Sequence, residues 1–151
     1  MFNQLQDVFA SFQKHKVKYL VIGGIAAVLH GVPRATFDLD ILIETTSENA
    51  QRLLDALLEA GLGTATLTSA EELLTHEITI FKDRVRIDVL TMTPGLYFEE
   101  AWEEREELQY RGVVLHVVSR EGLITSKRAA GRAVDLEDVR LLKLDGETKG
   151  S

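Results

Sequence analysis

Residues 21–44 read VIGGIAAVLHGVPRATFDLDILIE. The β-rich run VKYLVI (17–22) predicts a strand that stops at Gly23-Gly24. IAAVLHG then reads as a short helix closed by Gly31, with Pro33 just beyond it. TFDLDILIE (36–44) predicts a second strand. Side chains i and i+2 of a strand share a face, so Asp38 and Asp40 project side by side while Phe37, Leu39, Ile41 and Ile43 point to the core. Two carboxylates in an apolar run are costly unless a cation meets them.

Outward from this stretch, Leu5, Val8, Phe9 and Phe12 recur at helical spacing and predict a first helix over residues 3–15. Beyond it, Ser47 is a candidate cap for a helix whose stripe of Leu53, Leu54, Leu57 and Leu58 ends at Gly61. SAEELL predicts a short helix, and HEITIFK and RVRIDVLT predict a hairpin turning at Asp83. Pro94 suits the first turn of a helix through LYFEEAWEE. ELQYRGVVLHVVS reads as two short strands turning at Arg111-Gly112. Ser119 would cap SREGLITSKRAAG, Asp135 would open DLEDVRLLK, and the polar LDGETKGS is expected to fray. The order of elements predicts an α/β (α+β) fold, a mixed β-sheet flanked by helices. A single domain over 1–143 with a disordered tail at 144–151 is expected, without repeat or linker.

Composition narrows the function. The chain of 151 residues has no cysteine, which excludes thiolate nucleophiles and zinc–thiolate centres. His15, His30, His76 and His116 are scattered and lack the paired spacing of metal-binding histidines. The amphipathic N-terminus does not resemble a signal peptide, and no apolar run nears the roughly 20 residues of a membrane span. A cytoplasmic protein without membrane partners is the expectation. A formal charge of −7 argues against general nucleic-acid binding, though a local basic groove on an acidic body is compatible with it.

RVRIDVLT repeats the alternation of the earlier strand. Val85, Ile87 and Val89 point inward, leaving Arg84, Arg86 and Asp88 on the other face. If the two strands are neighbours, Asp88 completes a three-carboxylate cluster with Asp38 and Asp40. Hard divalent ions such as Mg²⁺ suit such a cluster, and two of them can serve phosphoryl-type transfer. An Asp-x-Asp on a strand edge is more often simply solvated; the upstream glycines and the third aspartate favour a metal site. Gly23-Gly24 sits between a strand and a helix, where backbone N–H groups can meet phosphate. It is neither a Walker loop nor a dinucleotide fingerprint.

Gly23-Gly24, thirteen further residues and then Asp38-Leu39-Asp40-Ile41 resemble the signature of the DNA polymerase β-like nucleotidyltransferase superfamily, with Asp88 at the place of its third acidic residue. Arg34, Thr36, Asp38 and Asp40, as R-x-T-x-D-x-D, are similar to the small bacterial members, including the abortive-infection type IV toxin–antitoxin group. SKRAAGRAVDLEDVRLL resembles the lysine-bearing closing segment of that group. The resemblance covers residues 5–143 and departs where many members have Gly-Ser and this chain has Gly24.

It implies a Mg²⁺-dependent enzyme, with Mn²⁺ as a substitute, that transfers a nucleoside monophosphate from an NTP to a hydroxyl of tRNA, protein or a small molecule. Asp38, Asp40 and Asp88 would be catalytic and hold two metal ions. Gly23, Gly24, Arg34 and Lys127 would bind the nucleotide. With little chain left for an acceptor domain, a partner protein or homodimer surface would complete the acceptor site. The alternative is a non-catalytic nucleotide-binding or interaction module acting with a partner chain. For Lys127, the competing reading is a solvated helix face on which Arg128, Arg132, Asp135 and Asp138 form surface ion pairs. Arg84 and Arg86 are candidates for nucleotide or acceptor contact, or for structural pairing with carboxylates. Trp102 and its aromatic neighbours read as helix packing and His30 as a helix terminator.

Overall fold

Tyr19–Ile22 forms β1, and all four of its side chains are buried. A strand buried on both faces needs neighbours at both edges and cover on both sides. It pairs antiparallel with β2 (Leu39–Ile43) and parallel with β6 (Val113–Val117). The computed structural model describes residues 2–36 and 38–150, with the backbone alone for 2, 3 and 145–150. Phe37, expected to face the core, lies outside the described residues.

Around β1 the sheet has six strands in the order β3-β4-β2-β1-β6-β5, where β3 is Ile78–Lys82, β4 Arg86–Leu90 and β5 Glu106–Tyr110. β2 and β4 run parallel, and the hairpins β3–β4 and β5–β6 are antiparallel, so the sheet is mixed. The β5–β6 hairpin turns through Arg111 and Gly112, both at positive φ, as expected of a tight primed turn.

One face of the sheet presents Tyr19, Ile41, Ile43, Ile87 and Val89, all buried. Against it packs α1 (Phe2–Lys14), whose Phe9 and Phe12 contact the Tyr19 ring, with α3 (Ser47–Glu59) beside α1. On the other face, α2 (Gly23–Leu29) and α6 (Arg120–Ala130) pack together, and α7 (Ala133–Gly150) packs on α6. These helices stop short of the outer strands, so Ile78 and Ile80 of β3 are half exposed. The carboxylate-bearing face is therefore open at the β4–β3 side.

Several expected boundaries shift for local reasons. Thr46 rather than Ser47 caps α3, accepting a hydrogen bond from the Asn49 N–H. Helix α4 (Ala70–Thr75) is capped by Ser69 as its sequence implies. Pro94 does not open a helix, because Gly95 turns the chain at φ +83 and α5 (Phe98–Glu103) begins only at Phe98. Ser119 caps α6 and Gly131 closes it in the left-handed conformation. The backbone of residues 144–150, expected to fray, continues α7 to Gly150, and Ser151 lies outside the described residues. Among the described residues no helix is long and apolar enough to cross a membrane.

Candidate active site

Because β2 and β4 are parallel neighbours with Asp40 opposite Asp88, the alternation that sends Leu39, Ile41, Ile87 and Val89 to the core sends both carboxylates to the open face. Asp38, one residue before β2, joins them at the edge and is half exposed. The three aspartates expected to form the cluster are thus brought together. Burial pushes the Asp40 carboxyl up to about 7, helped by the charge of Asp88, a hydrogen bond with it and the charge of Asp38, while Arg86 opposes the rise. A buried carboxylate beside two others is a site short of positive charge.

One cation is already there. Arg86 donates from Nε to Asp88 Oδ1 at 2.9 Å and from Nη2 to Oδ2 at 3.3 Å, and its Nε lies 3.8 Å from Asp38 Oδ2. Among the described residues, no group of three or more metal-ligating side chains is gathered closely enough to hold an ion in this arrangement. The donor set nevertheless fits a hard divalent cation: it is oxygen only, anionic, on adjacent strands and undercompensated.

The glycines make this edge. A β-carbon on Gly23, itself at φ +68, would overlap Asp40 Oδ2, so glycine is what admits the carboxylate against the start of α2. A β-carbon on Gly24 would stand 2.8 Å from Thr36 Oγ1. The Gly-Gly pair and the R-x-T-x-D-x-D stretch are packed halves of one corner, and α2 begins at Gly23 itself.

Opposite the carboxylates stands a cationic wall. Lys127 on α6 is buried, pairing with Asp138 at 2.8 Å and Asp135 at 3.7 Å on α7. Asp138 also accepts from Arg34 Nη1 at 2.6 Å, and Asp135 takes a two-pronged contact from Arg132. Burial alone would raise the Asp135 carboxyl; Arg132's hydrogen bonds and charge, with the charge of Lys127, hold it below its ordinary value. The solvated-face reading of Lys127 is thereby corrected, since it and both its partners are buried. Gly131 bends the chain between α6 and α7, so Asp135 and Asp138 return onto Lys127. No helical periodicity spans that bend, which is why the sequence presents these acids as surface partners.

A cavity of about 530 Å³ joins the two groups, lined by Gly23, Gly24, Asp38, Asp40 and Asp88 on one side and Arg34, Lys127 and Arg132 on the other. All seven expected site residues line it. Arg86 also lines it, whereas Arg84 is turned away and donates to the carbonyls of Gln4 and Ala60. His30 ends α2 and bonds to the Val118 carbonyl oxygen at 2.8 Å, outside the site. Trp102 stacks on Phe98 and carries the Arg105 guanidinium 3.8 Å from its ring centre, a packing role.

Comparisons with solved structures find the same fold in proteins of low identity. A Thermotoga maritima protein whose nucleotidyltransferase assignment is provisional superposes with a TM-score of 0.60 at 16% identity, over 92% of this chain and 89% of that one. An antigenic nucleotidyltransferase-like protein of Paracoccidioides brasiliensis gives 0.59 at 17%, over 89% and 71%. The lincosamide antibiotic adenylyltransferase LnuA, solved with lincomycin bound, gives 0.60 at 18%, over 95% and 96%. No protein in the curated set matches the sequence. The family of nucleotidyltransferases of unknown function called DUF6036 matches residues 1–148. With nearly its whole length matched and a nucleotidyltransferase fold, the chain belongs to that family.

Proposed function

We propose that this nucleotidyltransferase is magnesium-dependent and moves a nucleoside monophosphate from an NTP to a hydroxyl acceptor, releasing pyrophosphate. The carrying observation is the meeting of Asp38, Asp40 and Asp88 from adjacent strands across one cavity from Lys127 and Arg34. The three aspartates would hold Mg²⁺ (two ions, with Mn²⁺ as a substitute). When bound, the metal neutralises phosphate oxygens and eases ionisation of the attacking hydroxyl.

The chain's own residues supply the rest. Gly23 and Gly24 expose backbone at the cavity wall, where a triphosphate can approach closely. Arg34, Lys127 and Arg132 set three cations against the two carboxylates Asp135 and Asp138, leaving that wall net positive toward the phosphates. Asp88 receives the acceptor proton as the acceptor oxygen bonds to the α-phosphorus and the bridging α–β bond breaks toward pyrophosphate. Catalysis is positioning and electrostatic stabilisation of an in-line displacement.

The test is release of pyrophosphate from each NTP with Mg²⁺, using ATP first because LnuA is an adenylyltransferase. α-Phosphate-labelled NTP incubated with a cell extract then identifies the acceptor as tRNA, protein or small molecule. That product also decides between a toxin–antitoxin role with a partner chain and a resistance role. Asp38→Asn should abolish turnover; unchanged turnover would refute the assignment. The guanidinium of Arg86 between Asp38 and Asp88 favours a second reading, a nucleotide-binding module without catalysis. That reading expects stabilisation by NTP and no pyrophosphate.

A further inference from the structure

We infer that Arg86 is a built-in counter-cation of the carboxylate cluster, and that a divalent ion loads the site by displacing it. The inference rests on the metal-binding reading above and concerns what governs loading. Arg86 and Asp38 both directly precede the Leu39–Ile87 pair on parallel neighbouring strands, so the register itself sets the guanidinium beside the cluster. Its fork spends Nε and Nη2 on the two oxygens of Asp88 and leaves Nε within 3.8 Å of Asp38. Those are two of the three carboxylates that a metal needs, and the fork occupies both oxygens of Asp88. Of the three, only Asp40, behind Gly23, has no ion pair with the guanidinium among the described contacts.

The pairing is built to be released. The Arg86 side chain is 38% exposed whereas that of Asp88 is 11% exposed, so the arginine can leave for solvent while the carboxylate stays. On the side away from the cluster, the neighbouring strand offers no acid to hold it: Lys82 stands at its register position and Ile80 at that of Asp88. Beyond Arg86 a second cavity of about 490 Å³, lined also by Asp38, Lys82 and Arg84, gives the displaced side chain room. Before loading, Arg86 limits the repulsion among the aspartates; after loading it is a free cation at the boundary of two cavities.

The test is Mn²⁺ binding without nucleotide, followed by electron paramagnetic resonance, with melting temperature in chelator as a second readout. Wild type, Arg86→Gln and Arg86→Lys are compared. Removing a competing, partly screened ion pair should tighten Mn²⁺ binding roughly three- to tenfold in Arg86→Gln. The metal-free melting temperature should fall, and the rise on adding Mn²⁺ should grow. Arg86→Lys, which keeps the charge and loses the fork, should fall between, and it decides the matter if the glutamine variant does not fold. Equal or weaker Mn²⁺ binding in both variants, with wild type binding normally, overturns the inference alone. Absence of binding in wild type and both variants overturns the metal-dependent reading and this inference with it.

Discussion

Two clusters of the same side-chain types face each other across one cavity and are balanced in opposite ways. At the α6–α7 junction, Asp135 and Asp138 are answered by Arg34, Lys127 and Arg132 at 2.6–3.7 Å, so cations exceed anions. At the strand edge, the ion pairs that Asp38, Asp40 and Asp88 make among the described residues are with Arg86 alone, so anions exceed cations there. The first arrangement fastens two helices to the loop that carries Arg34. The second stores repulsion that a ligand cation can relieve. A buried charge without its partner is costly, and of the two clusters it is the strand edge that bears that cost.

The largest effect should separate the two in rate. Asp40→Asn removes a metal-binding carboxylate and is expected to lower NTP turnover by about a thousandfold or more. Its melting temperature in chelator at pH 8 should match or exceed that of wild type. A variant that is both inactive and strongly destabilised would show that the edge is structural like the junction. Next comes stability: Asp138→Ala removes the nearer partner of buried Lys127, leaving it Asp135 at 3.7 Å, and should cost about 3–5 kcal/mol in urea denaturation. A loss below about 1 kcal/mol would place Asp138 among exposed ion pairs.

The sequence disclosed the edge better than the junction, for a physical reason. Period-two alternation in TFDLDILIE and RVRIDVLT fixes which side chains share a face, so Asp38, Asp40 and Asp88 could be grouped once the strands were assumed adjacent. The glycines were legible as a close approach, but not that Asp40 and Thr36 are what approach them. At the junction, Lys127, Asp135 and Asp138 lie on two helices joined by Gly131, and their meeting depends on an interhelical angle that no local pattern encodes. Arg86 could be placed on the face of Asp88, yet its choice between ligand and carboxylate is set by side-chain geometry.

The same contrast should appear in pH dependence. Asp40 titrates near 7 in the fold against an ordinary value near 3.8. Between those values the folded state keeps a proton that the unfolded state has lost. This group's contribution therefore falls as pH rises from about 4 to 7 and is fully lost above that. Asp135, held below its ordinary value, acts in the opposite direction and only in acid, where its stabilisation is lost as pH falls. Without metal, the difference in urea midpoint between wild type and Asp40→Asn should widen in favour of the variant from pH 4 to 8. Saturating Mg²⁺ should shrink it.

The smallest effect concerns the corner that makes room for the edge. Gly23→Ala meets both a left-handed backbone and the Asp40 carboxylate, whereas Gly24→Ala meets the Thr36 side chain, Oγ1 at 2.8 Å and Cβ at 3.3 Å, without the left-handed backbone. Gly23→Ala should cost about 1–3 kcal/mol, the usual range for a non-glycine residue in the left-handed region, and Gly24→Ala clearly less. If steric contact with the carboxylate is part of the cost, combining Gly23→Ala with Asp40→Ala should return part of it, a non-additivity read from the double-mutant cycle. Full additivity would leave backbone conformation as the sole reason for glycine at position 23 and would detach it from the acidic edge.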